Sequence, residues 1–64
     1  MTNQEARDAM LARSPVEHKG LKFSCISAII YRPTEDGGIR VTAELIDKCG
    51  HSVTIASVKD VNPA

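Results

Sequence analysis

No charge of one sign predominates in this chain of 64 residues. Eight basic and eight acidic side chains give a formal net charge of zero. A nucleic-acid binder usually carries a basic excess, because phosphate contacts supply most of its affinity. An acidic mimic of nucleic acid carries the opposite excess. Nucleic acid is therefore the less expected partner. Long apolar runs are also missing. No stretch approaches the ~20 residues that a membrane-spanning helix needs. Met1-Thr2-Asn3-Gln4-Glu5 are polar and lack the charged segment and apolar run of a secretory signal. The expectation is a cytoplasmic chain with no membrane partner. Cysteine is scarce, with only Cys25 and Cys49, and in a reducing compartment both are expected as thiols.

The motifs of site chemistry are missing too. Cys49 and His51 sit two residues apart across a predicted turn, which is half of a zinc site at most. Cys25 and His18 would have to converge on the same point, and no C-x-x-C or H-x-x-x-H spacing brings them there. Neither a metal nor another cofactor is expected. A Cys–His nucleophile pair needs an orienting group and an oxyanion hole, and a chain this short has little room for a pocket that excludes water. Buried cysteine more often acts as a small hydrophobe. Glu35-Asp36 fall in a predicted hairpin loop, and Glu44 and Asp47 near a strand end, at no spacing suited to general acid–base work. Gly37-Gly38 lack a following helix that would point amides at an anion. The chain reads as a non-enzyme.

What is present is a short helix followed by β patterning. Thr2-Asn3-Gln4-Glu5 matches the capping box, and good helix formers fill residues 3–13. Ala6, Ala9, Met10 and Arg13 share one face. Arg13 suits the negative end of the helix dipole, and Pro15 ends the helix. Met10 and Leu11 point in two directions, so one can dock onto the domain while the other meets a second copy or another protein.

After Pro15, Val16-Glu17-His18-Lys19 predicts a short strand and Gly20 a turn. Leu21-Lys22-Phe23-Ser24-Cys25 alternates with period two, then slips a step at Ile26, Ala28 and Ile30. A β-bulge near Cys25–Ser27 would restore one core face and bend the strand. Arg32-Pro33-Thr34-Glu35-Asp36-Gly37-Gly38 reads as a hairpin loop. Ile39 to Leu45 alternates without error, with Ile39, Val41, Ala43 and Leu45 facing in. Asp47-Lys48-Cys49-Gly50 is a turn, and Ser52-Val53-Thr54-Ile55-Ala56 a strand. Ser57-Val58-Lys59-Asp60 suits one 3₁₀ turn, Val61 a final stub of strand, and Asn62-Pro63-Ala64 a frayed tail.

One domain, 1–64, is therefore expected, with the helix at 3–13 and a β-barrel at 15–61. The fold class is mainly β with one N-terminal helix (α+β). The predicted architecture is a small SH3-like antiparallel barrel, with a three- to four-stranded meander and a helix packed on it as the alternative. The expected core is Val16, Leu21, Phe23, Ile26, Ile30, Ile39, Val41, Leu45, Val53, Ile55, Val58 and Val61. A domain of this size buries only about 60% of the surface of its unfolded chain. Such chains often need a staple or a partner, so a homo-oligomer is expected, with Met10 and Leu11 as its interface.

The candidate ligand or partner site is Tyr31, Arg32, Arg40 and His51. Tyr31 is the one tyrosine, placed at the strand end where a barrel opens. Arg32 and Arg40 would flank it. An aromatic plate beside guanidinium groups can stack a base and grip a phosphate, although a tyrosine capping a core with its hydroxyl in water is the commoner arrangement. His51 is exposed in the second turn. A nucleic-acid-binding barrel would instead require Lys19, Lys22, Arg32, Arg40 and Lys48 on one face.

The stretch Gly20-Leu21-Lys22-Phe23-Ser24-Cys25-Ile26-Ser27-Ala28-Ile29-Ile30-Tyr31-Arg32, then Val41-Thr42-Ala43-Glu44-Leu45-Ile46-Asp47-Lys48 and Ser52-Val53-Thr54-Ile55-Ala56, resembles short proteins carried by phages and integrated elements of Gram-positive bacteria. The resemblance covers about residues 15–61 and lies in style and order of strands. It implies an accessory protein in a bacterial cytoplasm that inhibits a host defence system, either by binding a protein target or by sequestering a nucleotide signal. It carries no functional residues. A nucleic-acid-binding regulatory barrel and an assembly protein of a phage particle are the alternatives.

Overall fold

The computed structural model describes residues 1–50 and 52–64. Helix α1 spans Asn3–Ala12. Among the described residues the strands that follow are β1 (Val16–His18), β2 (Leu21–Phe23), β3 (Cys25–Pro33), β4 (Ile39–Ile46), β5 (Val53–Ser57) and β6 (Asn62–Pro63). A 3₁₀ turn, Val58–Asp60, lies between β5 and β6.

The helix starts where the sequence predicts. Thr2 Oγ1 accepts the Glu5 N–H at 3.1 Å, and Glu5 Oε1 accepts the Thr2 N–H at 2.9 Å. Both orphan amides of the first turn are thus satisfied reciprocally. The backbone N–H of Thr2, and then its hydroxyl, hold the Glu5 carboxyl below its ordinary value of 4.5. The helix ends one residue earlier than predicted. Arg13 turns left-handed at φ 54°, its N–H bonding Met10 O at 3.2 Å while the Ser14 N–H bonds Ala9 O at 3.0 Å. This is a Schellman ending, so the chain has already left the helix before Pro15.

Two three-stranded antiparallel sheets follow, in the orders β2-β1-β6 and β3-β4-β5. They share the run Leu21–Pro33, interrupted only at Ser24. The Ser24 N–H donates to Ile46 O at 2.8 Å, which keeps the interruption bonded to the end of β4. Between β1 and β2, Lys19 (φ 52°) and Gly20 (φ 79°) are both left-handed. That is the backbone of the tight hairpin turn whose twist matches its strands. The expected bulge lies between Ile26 and Ala28, where the β3–β4 register slips. At the β3–β4 loop the Thr34 N–H donates to Gly38 O at 2.9 Å. Asp36 Oδ1 accepts from the Thr34 hydroxyl and from the Gly38 N–H. The Thr34 hydroxyl, and then the Gly38 amide, lower the Asp36 carboxyl from its ordinary 3.8. The Gly50 N–H closes the next turn on Asp47 O at 3.1 Å.

The sheets do not close into a barrel. Among the described residues β3 and β5 each pair only with β4. The β3-β4-β5 unit is a three-stranded meander with α1 against β3, as the alternative reading has it. The C-terminal tail is paired rather than frayed. Glu17 faces Asn62 and Val16 faces Pro63, and the Ala64 N–H reaches Pro15 O at 3.3 Å. The Met1 ammonium joins both ends of the described chain, donating to Val61 O at 2.7 Å and to Val58 O at 3.3 Å.

The core is Ala6, Val16, Phe23, Ile26, Ala43, Leu45, Ala56, Val58 and Val61, with Met1, Ala9, Met10, Ile29 and Val41 packed against it. Several expected core residues lie outside it: Leu21 is 64% exposed, Ile39 69%, Val53 58% and Ile55 54%. Ile30 is only half-buried. Two causes account for this. Three alanines, Ala6, Ala43 and Ala56, take core places beside the six larger side chains, so small residues fill positions that hydrophobicity alone would give to large ones. The β4–β5 register then fixes the rest. Ala43 faces Ala56 and Glu44 faces Ile55. Ile55 therefore shares the Glu44 face, and Val53 and Ile55 point away from the core. Ile39 lies on the core face, but at the end of β4 that remains exposed.

Candidate functional site

Paired residues on neighbouring strands share a face. The face of β3-β4-β5 opposite the core therefore reads in rows. Cys25–Ile46–Val53 is followed by Ala28–Glu44–Ile55, then Ile30–Thr42–Ser57, with Arg32–Arg40 beyond. Val53 and Ile55 are exposed, and Ala28, Ile30 and Ile46 are half-buried. This makes one β-branched apolar surface. Glu44 interrupts it in the middle row, accepting the Ser27 hydroxyl at 2.6 Å, and Thr42 and Ser57 add hydroxyls in the next row. An antiparallel sheet commonly has one face on the core and one polar face in water, and a contiguous apolar face marks a contact surface.

The bulge distributes the predicted site residues. Beyond it Tyr31 faces Val41 and Arg32 faces Arg40. Tyr31 is thus on the core side of the sheet, 52% exposed, while Arg32 and Arg40 lie together on the open side. The expected cluster of Tyr31 with Arg32 and Arg40 is therefore split by strand alternation. An aromatic plate between two guanidinium groups does not form. His51 lies outside the described residues. Met10 and Leu11 diverge as predicted: Met10 packs on the core and Leu11 is 72% exposed. Of that pair, only Leu11 is left for an outside contact.

The remaining candidates take structural places. His18 Nδ1 donates to Asp60 O at 3.3 Å and ties β1 to the 3₁₀ turn. Cys25 and Cys49 are free thiols, half-buried and exposed. No group of three or more His, Cys, Asp or Glu that would hold a metal occurs among the described residues. Lys22 pairs with Glu17 in the other sheet, Lys19 sits in the first turn, and Lys48 lies past the far end of β4 from Arg40. The five cations required of a nucleic-acid-binding face are not gathered on one face.

No family model matches this chain, and no curated protein or solved structure matches it. No helix among the described residues is long and apolar enough to cross a membrane. Function thus rests on the surface itself. Val53, Ile55, Ile30 and Ile46 are the residues that sequence reasoning placed elsewhere or passed over. The strand Val53-Thr54-Ile55-Ala56-Ser57 carries two period-two readings, Val53 and Ile55 inward or Thr54 and Ala56 inward. The second continues in step to buried Val58, and that continuation was the available signal.

Proposed function

We propose that this chain is a non-enzymatic binding protein that modulates a larger protein target by covering a site on it with the open face of β3-β4-β5. One observation carries the reading: Val53 and Ile55 stand more than half exposed beside half-buried Ile30, Ile46 and Ala28 in a chain with few large side chains to spare. Burying a fully exposed side chain of this kind contributes about 1.5–3 kcal/mol, so a protein partner gains most where these residues cluster. The resemblance to short phage proteins makes the specific form a phage-encoded inhibitor of a host defence protein, acting in the bacterial cytoplasm. We further propose that the fold is an open variant of a small SH3-like barrel. It is supported by the bent run shared between two sheets, the order β2-β1-β6 and β3-β4-β5, and the 3₁₀ turn before the last strand. Self-association uses the same chemistry, through Leu11 or the unpaired edge of β5.

The test compares surface variants in pull-down from bacterial lysate. Val53→Lys and Ile55→Lys are expected to lose the captured protein, whereas Leu21→Lys, at an equally exposed apolar position in the other sheet, retains it. Capture that persists in both face variants would remove this surface from the function.

A further inference from the structure

We propose that the loop end of the β3–β4 hairpin is a binding site for a phosphate group. The inference does not depend on the docking face, because it concerns the row farthest from Val53. Arg32 and Arg40 are direct cross-strand partners on the open side of the sheet. At such positions Cβ atoms stand only ~5 Å apart, and like charges there destabilise the ladder. Neither guanidinium has an ion-pair or hydrogen-bond partner among the described residues. The arrangement therefore carries a repulsion that an anion would remove.

The surroundings extend the site. Arg40 lines two adjoining open clefts. One, of 540 Å³, also takes in Arg32 and the Thr34 loop. The other, of 470 Å³, also takes in Ser57 and Lys59. Arg40 thus borders both hollows, each of ligand size, with Arg32 beside it in one and Lys59 in the other. Thr42 and Ser57 form the adjacent row on the open face and supply two hydroxyls beside Arg40. Of the acids on the loop, Asp36 already accepts from Thr34 and Gly38. Asp36 borders both clefts, and its Oδ1 is shared into the loop's own hydrogen bonds. Glu35 borders the Arg32 cleft but not the Lys59 cleft.

The ligand class follows from the donors. Guanidinium forks match the oxygens of phosphate bidentately, and Lys59 adds a point charge. A doubly charged phosphate matches the two facing guanidinium groups, where a carboxylate would leave one unmatched. The chain is neutral overall, so attraction of phosphate is expected at this place and not over the surface at large.

The test is an amide NMR titration of the full chain with inorganic pyrophosphate. Shifts are expected at residues 32, 40 and 57. Arg40→Gln is expected to weaken binding about tenfold or more, as loss of a charge-assisted bond does, and Lys22→Gln, a charge change in the other sheet, leaves it unchanged. Arg40→Gln also raises the unfolding temperature without ligand, since it removes the like-charge pair, and abolishes the further rise that pyrophosphate gives the wild type. Parallel titrations with adenosine monophosphate and with thymidine oligonucleotides of increasing length identify the source. Length-independent binding indicates a free nucleotide, and affinity that rises with length indicates a nucleic-acid backbone. No shift with pyrophosphate at low salt, or equal weakening by Lys22→Gln, overturns the site.

Discussion

Truncating Ile55 should cost little stability, and enlarging its neighbour Ala56 should cost much. The expectation follows from the β4–β5 register, in which Ala56 faces Ala43 on the core side and Ile55 faces Glu44 on the open side. Ile55 is 54% exposed and Ala56 4%. Full burial of an isoleucine contributes about 1.5–3 kcal/mol. With less than half of it buried, Ile55→Ala is expected to cost about 1 kcal/mol, well below the ~2–5 kcal/mol of a core truncation. Ala56→Leu forces extra carbons into the packed core and is expected to cost about 1–3 kcal/mol. Urea unfolding followed by circular dichroism measures both, at constant slope. In a domain this size 1 kcal/mol moves the thermal midpoint by about 4–8 °C, so the two variants separate in a melting experiment too. A large loss for Ile55→Ala together with a tolerated Ala56→Leu would place β5 with its opposite face inward, and the open apolar face would not exist.

Other expectations concern the helix and its ends. Arg13→Gly should stabilise by about 0.5–1 kcal/mol, because a left-handed residue without a β-carbon relieves strain; a thermal melt no higher than wild type would contradict the Schellman ending. Thr2→Ala should cost about 1 kcal/mol through loss of the cap, read as a lower urea midpoint. Glu5 has its carboxyl lowered from 4.5 by the Thr2 amide and hydroxyl. Its contribution is therefore complete above that pH and is lost as pH falls through the lower, folded value. Glu5→Gln should flatten the fall in stability below pH 4.5, and an unchanged acid profile would count against the capping box. Acetylating Met1 removes the ammonium that donates to Val61 and Val58 and should lower the urea midpoint, while an unaltered midpoint would make that contact inconsequential.

The elements were largely legible in the residues, because they rest on local chemistry. Thr2 and Glu5 announce the helix, Gly20 and Gly37 the turns, and the slip of alternation at Ile26 announces the bulge found there. Which face each residue takes was less legible. Period-two alternation states that neighbours oppose each other but not which one is inside. At β5 the answer depends on Ala56 facing Ala43 in the core, a pairing between strands that only the fold brings together. Hydrophobicity ranks Ile55 above Ala56, but the space available favours alanine. The same limit governed the site. Tyr31 and Arg32 are adjacent in sequence and so lie on opposite faces, while Arg32 and Arg40 meet only through the hairpin. Ile39 lay on the predicted face, but burial also requires something to cover it.

The most direct test of the central claim, that the open face of β3-β4-β5 is where this chain meets a protein target, is site-specific photo-crosslinking in bacterial cells. A photoreactive residue is placed at position 55 on that face and, separately, at position 21 in the other sheet. The account predicts one discrete cross-linked protein from position 55 and none from position 21. No cross-link at 55, or the same product from both positions, would contradict it.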